Sequence, residues 1–410
     1  MKFAIRTSDL YLIKKETLAT ALLYIGMFIA FLGSLNPWFM WSIGNYYPVL
    51  FFGFLAGSYM VSRGMKENTI FTRKDFVLPM MTLVLFTIYE RISMESNINA
   101  YIMLLFRYSF FYALFKLDLE RLPKLATFIC KMMALLLIPS ILGFIIYLNG
   151  FPLPCRDVQF SEFYSFSNYY LFMIPDSDIF IFFPRFISYF LEPSIIGSAC
   201  AFLLFTQRGK WRKWYNITLL TTLLLSFSLA SYIYLIVIMF FNSWTAGKKM
   251  FRKLMAVVAI LITATIITFT YNGGDNLMHD LIMLRLEVDD GELAGDNRVT
   301  GNFESDYNNF IKSSDVILGR KFEVTEFGNA GYRVFFYENG IVGIILLLVF
   351  YSTSMMYSPN IRAVISTLII ASLYFGVSAF MLWENIYFSL FTAAYILQKK
   401  KHNDENSLYT

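Results

Sequence analysis

The stretch Arg185 to Phe205, RFISYFLEPSIIGSACAFLLF, is apolar enough to cross a membrane, yet it opens on an arginine and carries Glu192-Pro193 in its body. A carboxylate in hydrocarbon costs about 3 kcal/mol even on permissive insertion scales, and proline interrupts helical hydrogen bonding. A broken helix at membrane depth is tolerated mainly where it lines a cavity. Glu192-Pro193 also reads as a helix start, because proline suits the first helical position and a carboxylate there meets the positive end of the dipole. The two readings are compatible: the pair starts a helix and holds a carboxylate at a polar site.

Composition agrees with a membrane fold. The 410 residues are 57% hydrophobic and 19% aromatic. Only 15% are charged, against about a quarter in soluble proteins. Apolar runs of spanning length recur twelve times, near residues 19–35, 46–62, 76–90, 98–116, 125–148, 186–206, 214–229, 230–246, 253–271, 332–356, 361–380 and 383–398. The expected fold is an all-α polytopic membrane protein of about twelve transmembrane helices, with the seventh and eighth forming a tight hairpin around Ser226, Ser228 and Ser231. Lys14 and Lys15 precede the first run, and no small-residue cleavage site follows it, so it reads as an uncleaved span.

Loop charges set the orientation. Alternate connections carry Arg63, Lys66, Arg73 and Lys74; Lys116, Arg121 and Lys124; Arg208, Lys210, Arg212 and Lys213; Lys248, Lys249, Arg252 and Lys253; Arg362; and Lys399 to Lys401. Such residues collect on the cytoplasmic side, which places both termini there. The same rule accounts for the net charge of +5, so nucleic acid is not an expected partner; the lipid bilayer is. The chain divides into a five-span bundle (1–149), an extracytoplasmic loop (150–184), spans six to nine (185–271), a large extracytoplasmic loop (272–330), spans ten to twelve (331–398) and a cytoplasmic tail (399–410). The large loop holds twelve acidic and five basic residues, and a connection of that length is usually functional. Three scattered cysteines and two histidines offer no metal-ligand spacing.

Ionisable residues gather at the extracytoplasmic ends of the spans. At ~1.5 Å per residue, Glu192 lies roughly 22 Å and Glu338 about 27 Å from the cytoplasmic border, in a core about 30 Å thick. Arg185 and Arg333 lie at the outer border, where snorkelling also explains them, and Glu384 opens the last span from the same side. Arg107 sits near mid-membrane, too deep to snorkel, and calls for an internal carboxylate or carbonyl partner. The aromatic run Phe160 to Phe172 suits sugar stacking or an ordinary interfacial belt. Surface ion pairs explain the loop arginines Arg285, Arg298 and Arg320, although arginine also suits bidentate binding of a diphosphate. Asn339-Gly340 within the tenth run suggests a weak helix or close packing.

The order of these features resembles the Wzy-type polysaccharide polymerases, in the superfamily that also holds the O-antigen ligases. The resemblance rests on Arg185 followed by Glu192-Pro193-Ser194, the serine-rich turn LSFSLAS, a long loop ending in DVILGRKF, and a span entered through GYRVFFYENGIVGIILL. It covers residues 185 to 350. There are departures: Leu229 and Ala230 stand where many relatives have an arginine, Lys321 replaces a glycine, and Ser313, Ser314 and Asp315 stand where ligases carry a histidine. The last of these favours a polymerase over a ligase.

The resemblance implies a GT-C-like, inverting, metal-independent glycosyltransferase of the bacterial cytoplasmic (inner) membrane, with no cofactor. It would transfer a glycan from undecaprenyl diphosphate to a new lipid-linked repeat unit at the outer face, making O-antigen or a similar surface polysaccharide, beside a chain-length regulator and a flippase. Arginines at the outer leaflet suit the charge that develops on a diphosphate leaving group. Arg185, Arg298 and Arg320 are expected to hold the diphosphate or donor sugar, and Glu192 to orient Arg185 or accept the acceptor's proton. Arg285, Arg333 and Glu338 are expected to shape the same cavity. A ligase and a lipid-linked oligosaccharide flippase or other transporter are the alternatives.

Overall fold

A computed structural model describes residues 7–63, 70–71, 76–93, 98–161, 164–178, 183–245, 259, 263, 266–274, 276, 279, 288–289, 292–293, 301–321, 331–358, 360–378 and 382–396. Its helices are α1 (Thr7–Ser34), α2 (Tyr47–Arg63), α3 (Val77–Ser93), α4 (Ile98–Lys116), α5 (Leu122–Leu148), α6 (Pro193–Gln207), α7 (Trp214–Leu225), α8 (Leu229–Thr245), α9 (Gly301–Ile311), α10 (Gly331–Met355), α11 (Ile361–Ser378) and α12 (Glu384–Tyr395). Three stretches, Lys15–Ser34, Leu122–Leu148 and Gly331–Met355, are long and apolar enough to cross a membrane, and several shorter apolar helices accompany them. The chain is therefore a predominantly helical membrane protein. Most of the expected ninth span, 253–271, lies outside the described residues.

Burial explains the arrangement. Helices that are apolar all round belong inside, and α6 and α12 are the innermost: Ile196–Gln207 and Glu384–Tyr395 are buried throughout. Around them pack α5, α7 and α8 against α6, α1 and α11 against α12, and the pairs α1–α2 and α3–α10. A mixed aromatic core fills the centre, with Tyr387 within 5.0 Å of the Phe111 and Phe350 ring centroids.

The helices share two ends. At one, Arg208 at the close of α6 bonds the Ala393 carbonyl and Thr245, and Asp118 N–H donates to the Ile70 carbonyl. The described lysines and arginines of the charge-rich connections lie here. At the other, Ser34 bonds Asn385, Tyr47 bonds Glu384, and Trp38 N–H donates to the Tyr189 carbonyl. This second end carries the long connections and every described candidate site residue.

Two expectations need correction. The chain is not wholly helical, because the 149–192 connection holds an antiparallel sheet of β1 (Arg156–Ser161), β2 (Tyr164–Asn168) and β3 (Met173–Pro175). One face packs Phe166 and Met173 on Ile187, and Ile174 on the other face packs with Phe144, Phe172 and Phe186, so β2 and β3 are covered on both sides. A two-residue pair, β4 (Val288–Asp289) and β5 (Glu292–Leu293), lies in the large loop. The expected span 186–206 is helical only from Pro193, since proline cannot sit inside the helix without losing a bond and clashing with the preceding turn.

Candidate functional site

The segment before α6 is irregular yet buried, so its backbone must find partners within the protein. Phe186 N–H donates to the Leu225 carbonyl at the end of α7, while the carbonyls of Ser188 and Tyr189 accept from Met173 and Trp38. Ser188 has φ +54°, a left-handed conformation uncommon outside glycine, and its carbonyl accepts from Met173 N–H. The segment is thus stitched to the sheet, to the α1–α2 connection and to the α7–α8 turn. Gly197 lets α6 itself approach the same turn: a Cβ there would overlap the Ser231 side chain and lie 2.9 Å from Ser226 Oγ.

Arg185 lies in this segment, not on α6, so it shares no helical face with Glu192. Its Nε and Nη2 donate to Asp178 Oδ2 and Oδ1 at 2.9 and 3.0 Å. Asp178 is only 2% exposed, and the Arg185 backbone N–H also reaches its Oδ2. A buried carboxylate thus fixes the planar guanidinium in a fork geometry. Among the described residues Nη1 makes no hydrogen bond, so it remains a donor for an anion. The expectation that Glu192 orients Arg185 is corrected: Asp178 does so.

Glu192 is the N-cap of α6 in extended conformation, with Pro193 at the first helical position, but its side chain caps no backbone N–H. Proline and backbone thus open α6 as expected, with the carboxylate at the helix N-terminus but making no cap hydrogen bond. The carboxylate turns to the sheet, where Oε1 accepts from the Tyr164 hydroxyl and Oε2 accepts from Ser194 Oγ at 2.8 Å.

A second cluster sits on the large loop. Helix α9 has an apolar face of Phe303, Tyr307 and Phe310, which packs on Val334, Phe336 and Tyr337 at the start of α10. Arg320 Nε donates to Asp315 Oδ2 at 2.6 Å and Nη2 to Ser313 Oγ at 3.2 Å, with Nη1 3.5 Å from Asp306. The Asp315 hydrogen bond raises the Arg320 pKa above its ordinary value. Arg333 lies over the Tyr307 ring and 3.4 Å from Glu304. Arg320 and Arg333 therefore meet through α9, whereas Arg185 and Glu192 are held separately by Asp178 and Tyr164. Arg285 and Arg298 lie outside the described residues.

The two glycines of DVILGR and ENG interlock. Helix α10 breaks at Gly340 (φ 57°, ψ −165°), and the loop backbone enters the break. Val342 N–H donates to the Ile317 carbonyl at 3.1 Å, and Arg320 N–H to the Tyr337 carbonyl at 2.7 Å. The Tyr89 hydroxyl of α3 bonds the Leu318 carbonyl at 2.5 Å and that of Asn339 at 3.1 Å. The weak helix expected at Asn339-Gly340 is this docking point. Glu338 faces α3 here, in electrostatic reach of Glu90 and Arg91, and makes no described bond to Arg185 or Glu192.

Arg107 has the carboxylate partner its depth demanded. Its Nε and Nη2 donate to Glu384 Oε1 and Oε2 at 2.7 and 3.0 Å, and the Tyr47 hydroxyl lies 3.2 Å from both oxygens. Glu384 is 1% exposed at the N-terminus of α12, where the helix dipole adds to the stabilisation of its charge. Asp178 and Tyr164 are the residues that sequence reasoning missed. The only signal for Asp178 is an acidic turn, Pro175-Asp176-Ser177-Asp178, ahead of Arg185, and Tyr164 is one aromatic among many. Among the described residues no cluster of histidine, cysteine and carboxylate groups could hold a metal ion. Compared with known protein families, characterised proteins and solved structures, the chain matches none.

Proposed function

We propose that this chain is a Wzy-type polymerase that extends a bacterial surface polysaccharide at the outer face of the cytoplasmic membrane. The observation that carries the reading is Arg185: a guanidinium fixed by a buried Asp178 with Nη1 left to donate, seven residues ahead of the Glu192 carboxylate. In this reading twelve spans in a GT-C-like arrangement, with both termini cytoplasmic, put the end that carries the long connections outside.

The acceptor sugar's hydroxyl attacks the anomeric carbon of the donor glycan, whose bond to the undecaprenyl diphosphate oxygen breaks with inversion. Arg185 donates to the diphosphate as negative charge builds on it, and Glu192 accepts the hydroxyl's proton. Arg320 and Arg298 would approach the same diphosphate from the large loop. A lipid-linked saccharide transporter is the second reading, favoured by the Arg107–Glu384 pair between α4 and α12, since ionisable groups within spans often mark a path. Deleting the gene and resolving the surface glycan on a gel separates them. A polymerase predicts loss of the ladder with a single repeat unit still on its final carrier; loss of every surface repeat overturns the reading in favour of a ligase or a transporter.

A further inference from the structure

The sheet beside Glu192 presents aromatic rings that the proposed chemistry leaves unused. Trp41, on the α1–α2 connection, lies 4.8 Å from the Phe160 ring centroid and 6.1 Å from that of Phe166. Tyr164 stacks on Phe166 at 6.2 Å and 11°, and its hydroxyl donates to Glu192. The rings are rigidly mounted: Trp41 Nε1 donates to the Asn36 carbonyl at 3.1 Å, and Trp38 N–H ties the same connection to Tyr189. Phe160 is 41% exposed, and Trp41 and Tyr164 are half-buried.

An interfacial aromatic belt places rings singly at headgroup level. Here Phe160 and Tyr164 sit on a hydrogen-bonded sheet, with Trp41 packed on it from the α1–α2 connection, and the edge strand β1 exposes Arg156, Asp157 and Gln159 between its apolar residues. Apolar ring faces flanked by hydrogen-bonding side chains and a carboxylate match the two kinds of surface on a pyranose, its C–H faces and its hydroxyl rim. We infer that Trp41, Phe160 and Tyr164 form a sugar-binding platform that seats the acceptor's terminal pyranose with one hydroxyl turned toward Glu192. Trp41 and Phe160 cover the ring face, Tyr164 holds the carboxylate, and the outward side chains of β1 take the remaining hydroxyls.

This inference rests on the polymerase reading for which sugar it names, but not for whether sugar binds. The test uses the purified full chain and, as probe, the repeat-unit oligosaccharide released by mild acid from the host's own lipid-linked precursor. Binding by equilibrium dialysis is expected to weaken about tenfold in Trp41→Ala and in Phe160→Ala. The saturable tryptophan fluorescence change of the wild type disappears in Trp41→Phe while binding is retained. In a transfer assay Trp41→Ala raises the acceptor KM with little change in kcat. Undiminished binding by both alanine variants overturns the platform, as does a wild-type chain that elongates glycan without binding the probe. Trp41-dependent binding by a chain that transfers no sugar sustains the platform and overturns the polymerase.

Discussion

Replacing Gly340 with alanine tests the interlock between the large loop and α10. At φ 57° and ψ −165° the backbone occupies a region essentially confined to glycine, and a side chain there costs on the order of 1–3 kcal/mol. The added Cβ would also stand 2.5 Å from the Ile317 carbonyl oxygen and 2.6 Å from Gly319 N, against about 3.5–4.0 Å for a relaxed contact. Both are backbone atoms, so relief requires the 315–320 segment to withdraw. Withdrawal breaks Val342 N–H to Ile317 and Arg320 N–H to Tyr337, at roughly 0.5–1.5 kcal/mol each. The expected loss is about 2–6 kcal/mol. Gly376 is the control, because it lies within α11 with nothing near its Cβ, and alanine there gains up to about 1 kcal/mol of helix propensity. Thermal unfolding in one detergent should show a lower midpoint for Gly340→Ala and an equal or higher one for Gly376→Ala. Limited proteolysis should cut the large loop of Gly340→Ala sooner. Equal midpoints and equal cleavage rates for the wild type and Gly340→Ala would refute the interlock.

Asp178→Asn should reduce chain growth to the level of Arg185→Ala with the protein still monodisperse. The double variant should be no worse, since both act through one guanidinium; additive losses in the same gel assay would show that Asp178 acts elsewhere. Glu384→Leu leaves Arg107 without its carboxylate and should lower stability by about 3–5 kcal/mol, much of which Arg107→Met/Glu384→Leu recovers; unfolding midpoints that fall further in the double variant would contradict this. Gly197→Ala overpacks α6 against Ser231 and Ser226 at about 1–3 kcal/mol, and Ser231→Gly in the same chain should recover part of the midpoint, the Ser226 contact and the helix cost of glycine remaining; no recovery would place the clash elsewhere.

Residue patterns alone revealed much of the scaffold and part of the site. Apolar runs marked every described bundle helix because spanning length and composition are local properties, and the mid-membrane position of Arg107 was enough to require a buried partner such as Glu384. Pro193 fixed the start of α6, yet depth arithmetic carried a helix through residues 186–192, since periodicity does not register a buried irregular segment held by distant carbonyls. Asn339-Gly340 was visible as a weak point, but the segment that docks there comes from a loop about 20 residues upstream. Asp178 and Tyr164 act through contacts made by tertiary structure, and nothing in their spacing separates them from neighbouring acids and aromatics.

The central claim is sugar transfer at Arg185 and Glu192, and reconstitution of the purified chain in liposomes with lipid-linked repeat unit tests it most directly. The wild type should convert single units into a ladder of longer glycans, Arg185→Ala and Glu192→Gln should reduce the ladder to the starting unit, and both variants should keep the wild-type unfolding midpoint. Wild-type liposomes that form no ladder but move the lipid-linked unit across the bilayer would contradict it, as would full ladders from both variants.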